Sequence, residues 1–258
     1  MKVKGIDASR YQGKIDWEKV KASGIKFAML KTVSTNYTEF GGIYIDPYFE
    51  HNYAECKRLG IPVGVYYYTY AQNVATANKE LAKLKTAIDG KKFEYPIVID
   101  VEDNLLKPIS KQALTELVEY AVEVIESWGC YAQVYTYLNY SNTELDMNRL
   151  KRYDLWLARY RAIRPLTPKH NMWQYSSSGK VNGINGNVDM NYAYIDYPSI
   201  IKKAGLNGYS ENRKTVSELA KEVLNGVWGN GRTRKTKLTN AGYDYKAVQA
   251  EVNKLLGI

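Results

Sequence analysis

Two acidic residues follow a short apolar run near the middle of the chain. Asp100 and Glu102 end the segment Pro-Ile-Val-Ile-Asp-Val-Glu at 96–102, which is typical of a buried β-strand. Side chains two residues apart on a strand point the same way, so both carboxyls should face one side. Desolvation and mutual repulsion would raise the pKa of at least one of them, which favours a proton donor. The alternative is that the two acids only cap a following helix or pair with a lysine.

Two further acids lie near the ends of the region that carries this strand. Asp7 follows the first predicted strand, and Asp189 lies in the last one, in Asn-Val-Asp-Met-Asn at 187–191. In a closed eight-stranded barrel these strands are neighbours, and catalytic side chains collect at the carboxyl ends of the strands. Four carboxylates at one rim of a chain with net charge +9 indicate general acid chemistry on a neutral acetal, as in glycoside hydrolysis. Taken singly, each of these two aspartates is more commonly a turn residue.

The elements that position the acids alternate between β-rich runs and amphipathic stretches. Helical patterns precede glycines at 16–23, 47–59, 75–88 and 110–128, which favours βαβ crossovers around a parallel barrel. The helical signal thins after about residue 135, so the predicted α/β fold is an irregular eight-stranded TIM-type barrel of (βα)5(β)3 form. Its predicted strands are 3–6, 27–31, 63–68, 97–101, 132–135, 155–158, 172–175 and 188–191.

The end of the chain has a different pattern. A Gly- and Asn-rich stretch begins at Gly205, and beyond it Thr215 and Glu218 form a capping box ahead of apolar residues at helical spacing. A short basic segment and a last helix near 245–256 follow. We predict a catalytic barrel over 1–204, a linker over 205–214 and a small all-α three-helix module over 215–258.

Aromatic residues are unusually distributed, with 24 tyrosines and 5 tryptophans beside only 4 phenylalanines. Rings that pack on one side and hydrogen-bond on the other suit the faces of sugars. Five of them fall on or near predicted strands, where they can line a substrate groove, although for any one ring packing inside the barrel is the more common role. These rings are Tyr66, Tyr68, Tyr135, Trp173 and Tyr175.

Composition narrows the class of protein further. With two histidines, two cysteines and no Cys-x-x-Cys, we expect neither a metal site of those ligands nor a cofactor. The first residues lack the apolar core of a signal peptide, and no run of 18 apolar residues occurs, so we expect neither an export signal nor a membrane anchor. The excess positive charge suits an anionic partner, either nucleic acid, a membrane surface or a bacterial wall.

Several motifs in the same order make residues 1 to about 200 resemble the glycoside hydrolase family 25 lysozymes of phages and bacteria. The resemblance implies an irregular barrel that cleaves the β-1,4 bond between N-acetylmuramic acid and N-acetylglucosamine in peptidoglycan. The motifs are Gly-Ile-Asp-Ala-Ser-Arg-Tyr-Gln-Gly at 5–13, Ile-Asp-Trp at 15–17, Gly-Ile-Pro-Val-Gly-Val-Tyr at 60–66, Asp-Val-Glu at 100–102, Trp-Gln-Tyr-Ser-Ser-Ser-Gly at 173–179 and Gly-Ile-Asn-Gly-Asn-Val-Asp-Met-Asn at 183–191.

The same resemblance implies roles for the acids. Glu102 would protonate the leaving oxygen and later act as the base toward water. Asp100 would stabilise positive charge at the anomeric carbon, either directly or by orienting the 2-acetamido group of the substrate as an internal nucleophile. We favour the second route, with retention. Asp7 and Asp189 would tune the pKa of the pair and hydrogen-bond the sugar.

The tail, from 214 to 258, resembles the cell-wall-binding repeats of choline-independent phage lysins. The likeness rests on Leu-Ala-Lys-Glu-Val-Leu-Asn-Gly-Val-Trp-Gly-Asn-Gly at 219–231 and on Ala-Gly-Tyr at 241–243. It implies binding to the muropeptide unit, with Trp228, Asn230 and Arg234 as wall-binding residues. The alternative is that Trp228 belongs to a core and that the cations form a solvated face.

The leading hypothesis is an endolysin whose partner is bacterial peptidoglycan. By resemblance, it would be made in the host cytoplasm and would reach the wall after release through a holin. A second hypothesis is a non-catalytic protein that holds peptidoglycan in the same groove. A third makes the tail a helix-turn-helix binder of nucleic acid, against which we note that no second helix is predicted to present a basic face. A zinc amidase is disfavoured by the shortage of histidine, and the oligomeric state and target species stay open.

Overall fold

The computed structural model describes residues 1–209, 214–241 and 243–257. The chain divides into two compact units, Met1–Glu211 and Asn212–Ile258. Each unit has its own hydrophobic core, so each is described by itself.

The first unit is a closed barrel. Eight strands form its wall, in the order β1, β9, β8, β7, β6, β5, β4 and β2, and a parallel pairing of β1 with β2 closes it. A ninth strand, β3, extends the sheet as an antiparallel neighbour of β2. The strands of this unit are β1 (Val3–Ala8), β2 (Ala28–Asn36), β3 (Gly42–Ile45), β4 (Val63–Tyr68), β5 (Ile97–Asp100), β6 (Ala132–Tyr137), β7 (Asp154–Ala158), β8 (Met172–Gly179) and β9 (Val188–Ala193).

Helices follow each of the first five wall strands along the chain but neither β7 nor β8, which confirms the predicted (βα)5(β)3 form. No helix separates β7, β8 and β9 within the described residues, and one more helix follows β9. Side-chain caps begin several of these helices: Ser110, for example, accepts a hydrogen bond from the backbone of Ala113 at the start of α4. The helices are α1 (Trp17–Ala22), α2 (Phe49–Leu59), α3 (Val74–Ile88), α4 (Lys111–Ser127), α5 (Leu138–Thr143) and α6 (Tyr197–Ala204).

The last strand, β9, was predicted to be parallel to its neighbours, β8 and β1, and is antiparallel to them. The connection over 180–187 is too short for the crossover that a parallel pair requires, so the chain turns back as a hairpin. Gly183 permits this turn, because it has φ +98° and an added Cβ would lie 2.4 Å from the backbone oxygen of Asp16.

Strand alternation separates two layers of the core. One set of side chains, including Met29, Val98 and Trp156, fills the barrel interior. The neighbours of these residues in the sequence, such as Leu30 and Ile99, face outward and pack in the larger cluster with the helices. Within a strand, alternate residues therefore point into the barrel, apart from the register shifts in β2 and β8. The site at the rim is built from the inward-pointing set.

The residues after α6 belong to the first unit, so it extends past the predicted boundary at 204. Asn207 is buried, with φ 54°, and its amide group joins two strand ends: it donates to the backbone oxygen of Tyr95 at 2.9 Å and accepts from the backbone N–H of Tyr131 at 2.8 Å. Tyr209 donates to Glu94. The rest of the predicted linker includes residues 210–213, which lie outside the described residues.

The second unit contains three helices in its described residues, α7 (Val216–Leu224), α8 (Gly231–Asn240) and α9 (Tyr245–Leu256). The capping box of Thr215 and Glu218 opens α7 as predicted. Leu219, Val223 and Val252 belong to a small core shared by the helices. The Ala-Gly-Tyr motif includes Gly242, which lies outside the described residues.

The basic segment is part of α8, whose sequence Gly-Arg-Thr-Arg-Lys-Thr-Lys-Leu-Thr-Asn holds four cations and no acid. The prediction that no second helix presents a basic face is therefore wrong. Leu238 alone is buried in this helix, and Arg232, Lys235 and Lys237 are exposed. No helix in the described ranges has both the length and the apolar character needed to cross a membrane.

Replacing Asn207 with Ala should lower the free energy of unfolding of the first unit by about 2–4 kcal/mol. The change leaves the buried N–H of Tyr131 and the buried carbonyl of Tyr95 without their partner. It also puts alanine, which adopts positive φ less readily than asparagine, at φ 54°. Urea unfolding followed by tryptophan fluorescence measures the effect. Asn142→Ala, at an exposed asparagine of α5, is the control and should stay within about 0.5 kcal/mol. Equal stability of the two variants would show that residues 205–209 do not belong to the barrel.

Candidate active site

The four predicted acids converge at one end of the barrel. Asp7, Asp100, Glu102 and Asp189 all line a cavity of about 270 Å³. Asp7 near the carboxyl end of β1 lies directly opposite Asp189 on β9, and Asp100 is the last residue of β5. The cavity is therefore at the carboxyl ends of the parallel strands, the end at which barrel enzymes place their active sites.

Asp7 is held by two amide side chains of the barrel interior. Its Oδ2 accepts hydrogen bonds from Gln174 Nε2 at 3.0 Å and from Asn191 Nδ2 at 2.7 Å. Asn191 in turn accepts from Trp156 Nε1 at 2.9 Å, and this bond fixes which way its amide points. This network orients one carboxyl oxygen without supplying a positive charge.

Asp7 and Asp189 form a proton-sharing pair. Burial, and then the charge of Asp189, raise the pKa of Asp7 well above its ordinary value. Burial raises the pKa of Asp189 to about 6, although hydrogen bonding with Asp7 lowers it in part. Because two carboxylates on paired residues repel each other in a poorly solvated site, the pair holds a proton under mildly acidic conditions.

Asp100 is the least satisfied acid of the group. Its side chain is 4% exposed, and its Oδ1 has no hydrogen-bond partner among the described residues. Burial, and then the neighbouring charge of Glu102, raise its pKa well above the ordinary value. A buried carboxyl oxygen without a partner is uncommon in a folded protein, and the residue that carries this one lines the acid cavity.

Glu102 is the acid best suited to exchange a proton near neutral pH. Burial raises its pKa to about 7, whereas the positive charge of Lys31 and a hydrogen bond from Tyr135 act in the opposite direction. The Tyr135 hydroxyl lies 3.5 Å from Oε2, and its shorter contact, 2.9 Å, is with Gln174 Oε1. A carboxyl with this pKa is protonated often enough to donate and ionised often enough to accept.

Lys31 is the cationic residue that lines this cavity. It was not among the site residues predicted from the sequence. Its Nζ lies 4.8 Å from the ring centroid of Tyr68 and 6.0 Å from that of Tyr66. Its charge lowers the pKa of both Asp100 and Glu102 against the larger effect of burial. A lysine within the apolar run of a predicted strand, Ala-Met-Leu-Lys-Thr-Val, was the available signal.

The predicted groove rings divide into two groups. Tyr66, Tyr68 and Tyr135 line the acid cavity. Trp173 and Tyr175 do not: they pack with Tyr192 on the other face of β8, and Trp173 Nε1 donates to the backbone oxygen of Arg159. The reason is strand alternation, because Gln174 between them faces the barrel interior.

Four other lining or supporting residues were not singled out from the sequence. Tyr160 lines the cavity and donates to Gln174 Oε1 at 3.0 Å, so Gln174 accepts from two tyrosine hydroxyls. The signal for Gln174 was an amide among the apolar and aromatic residues Met172, Trp173 and Tyr175, and that for Asn191 was an amide two residues after Asp189 on the same strand. Nothing in the sequence distinguished Trp156 or Tyr160 from the many other rings.

The residues predicted to bind the wall have partners within the second unit. Trp228 Nε1 donates to Glu222 at 2.9 Å, and its ring packs edge-on against Tyr243. Arg234 donates to the backbone of Gly229, to Gln249 and to Asn230 Oδ1. The structure therefore brings Trp228, Asn230 and Arg234 close together, with much of their hydrogen-bonding capacity used inside the unit.

The cavity has the groups for acid–base chemistry by side chains alone. It combines a partly exposed carboxyl of pKa about 7 with a buried carboxyl that lacks a partner. Over the described parts of the chain, no group of three or more histidine, cysteine, aspartate or glutamate side chains is arranged to hold a metal ion.

Two family models match the chain. The model of the glycosyl hydrolases of family 25 matches residues 6–184, and the model of the CW_7 repeat matches residues 217–256. The first match includes Asp7, Asp100 and Glu102 and ends before Asp189.

Relatives and solved structures agree with these matches. The uncharacterised protein YegX of Escherichia coli O157:H7 is 32% identical over 197 residues, which are 73% of this chain and 68% of YegX. The autolytic lysozyme of Clostridium acetobutylicum is 30% identical, over 73% of this chain and 55% of that protein. The modular autolysin LytC of Streptococcus pneumoniae, in complex with a synthetic peptidoglycan ligand, is 29% identical with a TM-score of 0.65. The match covers 75% of this chain and 47% of LytC, so the chain spans about half the length of these two proteins.

Replacing Lys31 with Met should raise the pKa of Glu102 by about 0.5 to 1. Removing the cation takes away an interaction that favours the ionised carboxyl, so the proton is held to higher pH. Carbon-13 NMR of the glutamate carboxyls over a pH series measures the change. Lys26→Met, which removes an exposed lysine ahead of the same strand, is the control and should leave the titration where it was. A fall in the Glu102 pKa in the Lys31 variant would contradict the assigned electrostatics.

Proposed function

The chain belongs to the glycosyl hydrolases of family 25, and on that premise we propose that it is a lysozyme that hydrolyses bacterial peptidoglycan. The bond cleaved is the β-1,4 link between N-acetylmuramic acid and N-acetylglucosamine. The observation that carries the proposal is the convergence of Glu102 with Asp7, Asp100 and Asp189 on one cavity, where burial raises the pKa of Glu102 to about 7. Glu102 gives its proton to the leaving oxygen and then takes one from the attacking water.

Asp100 is the partner of Glu102 in this scheme. Asp100 lines the acid cavity beside Glu102, which suits its carboxyl group to receive the N–H of the 2-acetamido group of the substrate. Holding that group in place would let its carbonyl oxygen attack the anomeric carbon, with retention of configuration. Substrate binding also brings the positive charge that develops at the anomeric carbon next to Asp100, which favours the ionised form of this acid.

The Asp7–Asp189 pair has a supporting role in this proposal. Because the pair shares a proton, it can donate one hydrogen bond and accept others from sugar hydroxyls without placing two full charges beside Asp100. Gln174 and Asn191 keep Asp7 in one orientation. Tyr66, Tyr68 and Tyr135 supply the walls against which a pyranose ring packs. Trp173 and Tyr175 are outside this cavity and have no assigned role here.

Glu102→Gln should reduce kcat/KM on purified peptidoglycan by roughly 100-fold or more, because the amide keeps the shape and cannot donate the proton. Mass spectrometry of the digest of the unaltered protein should show new reducing muramic acid ends. New reducing glucosamine ends or freed peptide amines would assign a different reaction.

The same variant should be more stable than the unaltered protein, by a margin that grows from pH 5 to pH 8. The folded-state pKa of Glu102 lies above its ordinary value, so ionisation opposes folding increasingly as the pH rises toward about 7, and glutamine avoids this effect. Thermal unfolding at the two pH values measures it. Loss of activity together with lower stability at both pH values would indicate a misfolded variant and would not support a role for the Glu102 proton.

The second unit anchors the enzyme to the wall in this proposal. Support comes from the CW_7 match and from the cluster of Trp228, Asn230 and Arg234, beside the basic surface of α8. A single repeat binds weakly, so its effect is to raise the local concentration of the barrel at the wall. The division into a catalytic barrel and an anchoring module, and the absence of a nucleic-acid partner, are parts of the same proposal.

Ending the chain at Tyr209 should leave turnover of soluble muropeptides within about twofold and slow the clearing of whole walls by about tenfold. Full-length Glu102→Gln is the matched control, since it should sediment with walls as the intact protein does and release no products. Retention on nuclease-treated walls separates wall binding from nucleic-acid binding. Loss of soluble turnover in the shortened chain would overturn the two-module proposal.

The route to the wall is also a proposal. Similarity to a phage lysozyme favours synthesis in the host cytoplasm and passage to the wall through a holin. Expression in a bacterial host with and without a co-expressed holin tests it, with lysis expected only in the first case. Equal lysis in both cases would point to another route.

A further inference from the structure

The acid cavity is the inner end of a longer groove. A second cleft of about 380 Å³ shares Glu102 and Tyr160 with it. An outer cleft of about 530 Å³ shares Leu138 and Arg159 with the second one. The three clefts therefore form one continuous path from the acids to the loop over 159–171, which joins β7 to β8.

The outer cleft has a chemical character unlike that of the acid cavity. Leu138, Ile163 and Pro165 give it apolar walls, and Arg159 and Arg161 give it positive charge. Ile163 is 82% exposed. Neither arginine makes an ion pair with an acid in the described part of the chain. Ile163 and Arg161 are both exposed, so the outer cleft offers an apolar group and a cation to a ligand.

The loop that forms this cleft is built to keep its shape. Its third arginine, Arg164, donates from Nε to His170 Nε2 at 3.0 Å and also donates to the backbone oxygen of His170. The guanidinium of Arg164 lies 3.5 Å from the ring centroid of Tyr194. One arginine therefore fixes the base of the loop, and the two that line the outer cleft are left for a ligand. A fixed loop reduces the ordering that binding requires.

We propose that the outer cleft is the subsite for the peptide stem carried by the muramic acid residue of the substrate, an inference that rests on the proposed function. In this proposal the lactyl group of the muramic acid at the cleaved bond faces the second cleft, which Glu102 also lines. The stem offers methyl groups of alanine and free carboxylates. The apolar walls fit the methyl groups, and the forked guanidinium of Arg161 fits a carboxylate.

A continued glycan strand is the other ligand that the groove could admit. The chemistry of the outer cleft argues against it, because none of its described lining residues is aromatic, whereas tyrosines line the acid cavity. Neutral sugars also lack the carboxylate with which Arg159 and Arg161 could form a charge-assisted hydrogen bond. The peptide stem accounts for both the charge and the apolar walls.

The test compares kcat/KM on two soluble substrates: glycan strands that carry stem peptides, and the same strands after an amidase has removed the peptides. The readout is the ratio of the two values. The unaltered protein should favour the peptide-bearing strands, and Arg161→Ala should lower the ratio by about tenfold, the effect of losing one charge-assisted contact. Arg159→Ala combined with Arg161→Ala should lower it further, and Arg161→Lys should restore it in part.

Arg152→Ala is the matched control, because Arg152 is an exposed arginine that pairs with Glu123 and does not line the groove. Its ratio should equal that of the unaltered protein. An unchanged ratio in the Arg161 variants, or an equal loss on both substrates, would overturn the stem subsite. Failure of the proposed lysozyme function gives a different result, since the unaltered protein would then release no muramic acid ends from either substrate.

Discussion

Four carboxyl groups share one poorly solvated barrel end with a single lining cation, Lys31, and the rest of the site follows from this imbalance. Full ionisation of all four would place three uncompensated charges among buried rings. The site avoids that state by holding protons, on the Asp7–Asp189 pair and on Glu102, whose pKa reaches about 7. A barrel that only needed stability would replace these acids with apolar residues. Their presence is explained by a reaction that requires a proton at a fixed place.

The scaffold controls the acids through neutral groups. Asp7 is fixed by the amides of Gln174 and Asn191, and those amides are fixed by Tyr135, Tyr160 and Trp156. Amides orient a carboxyl while leaving its pKa high, whereas an arginine in the same position would hold it ionised. Tyr135 and Tyr160 therefore have a structural role at the site, because their hydroxyls complete a network of neutral groups around Asp7.

The sequence predicted the part of this arrangement that depends on strand period and order. The spacing of Asp100 and Glu102, and the closure of the barrel between β1 and β9, were sufficient to bring the four acids to one rim. Side chains alternate between the two faces of a strand, so placing Gln174 inside the barrel would have excluded its neighbours Trp173 and Tyr175 from the cavity. The prediction chose the two aromatic residues because they are a more conspicuous signal than the amide between them. The antiparallel direction of β9 depends on the length of one connection. The partners of Asp7 could not be predicted, because hydrogen bonds across the barrel join residues 167 and 184 positions apart.

The groove beyond the acids shows how the barrel can recognise more than a glycan. Helices are absent between β7, β8 and β9 in the described residues, and a loop over 159–171 occupies the space where a helix would otherwise lie. A helix there would present a face fixed by its own period, whereas a loop anchored by Arg164 and His170 can expose two arginines and an isoleucine on one side. The irregular half of the barrel is thus the half able to contact a branched substrate. The regular half, with its helices α1 to α4 packed outside, carries Asp7, Asp100 and Glu102 on or just after β1 and β5, whereas Asp189 lies on β9 in the irregular half.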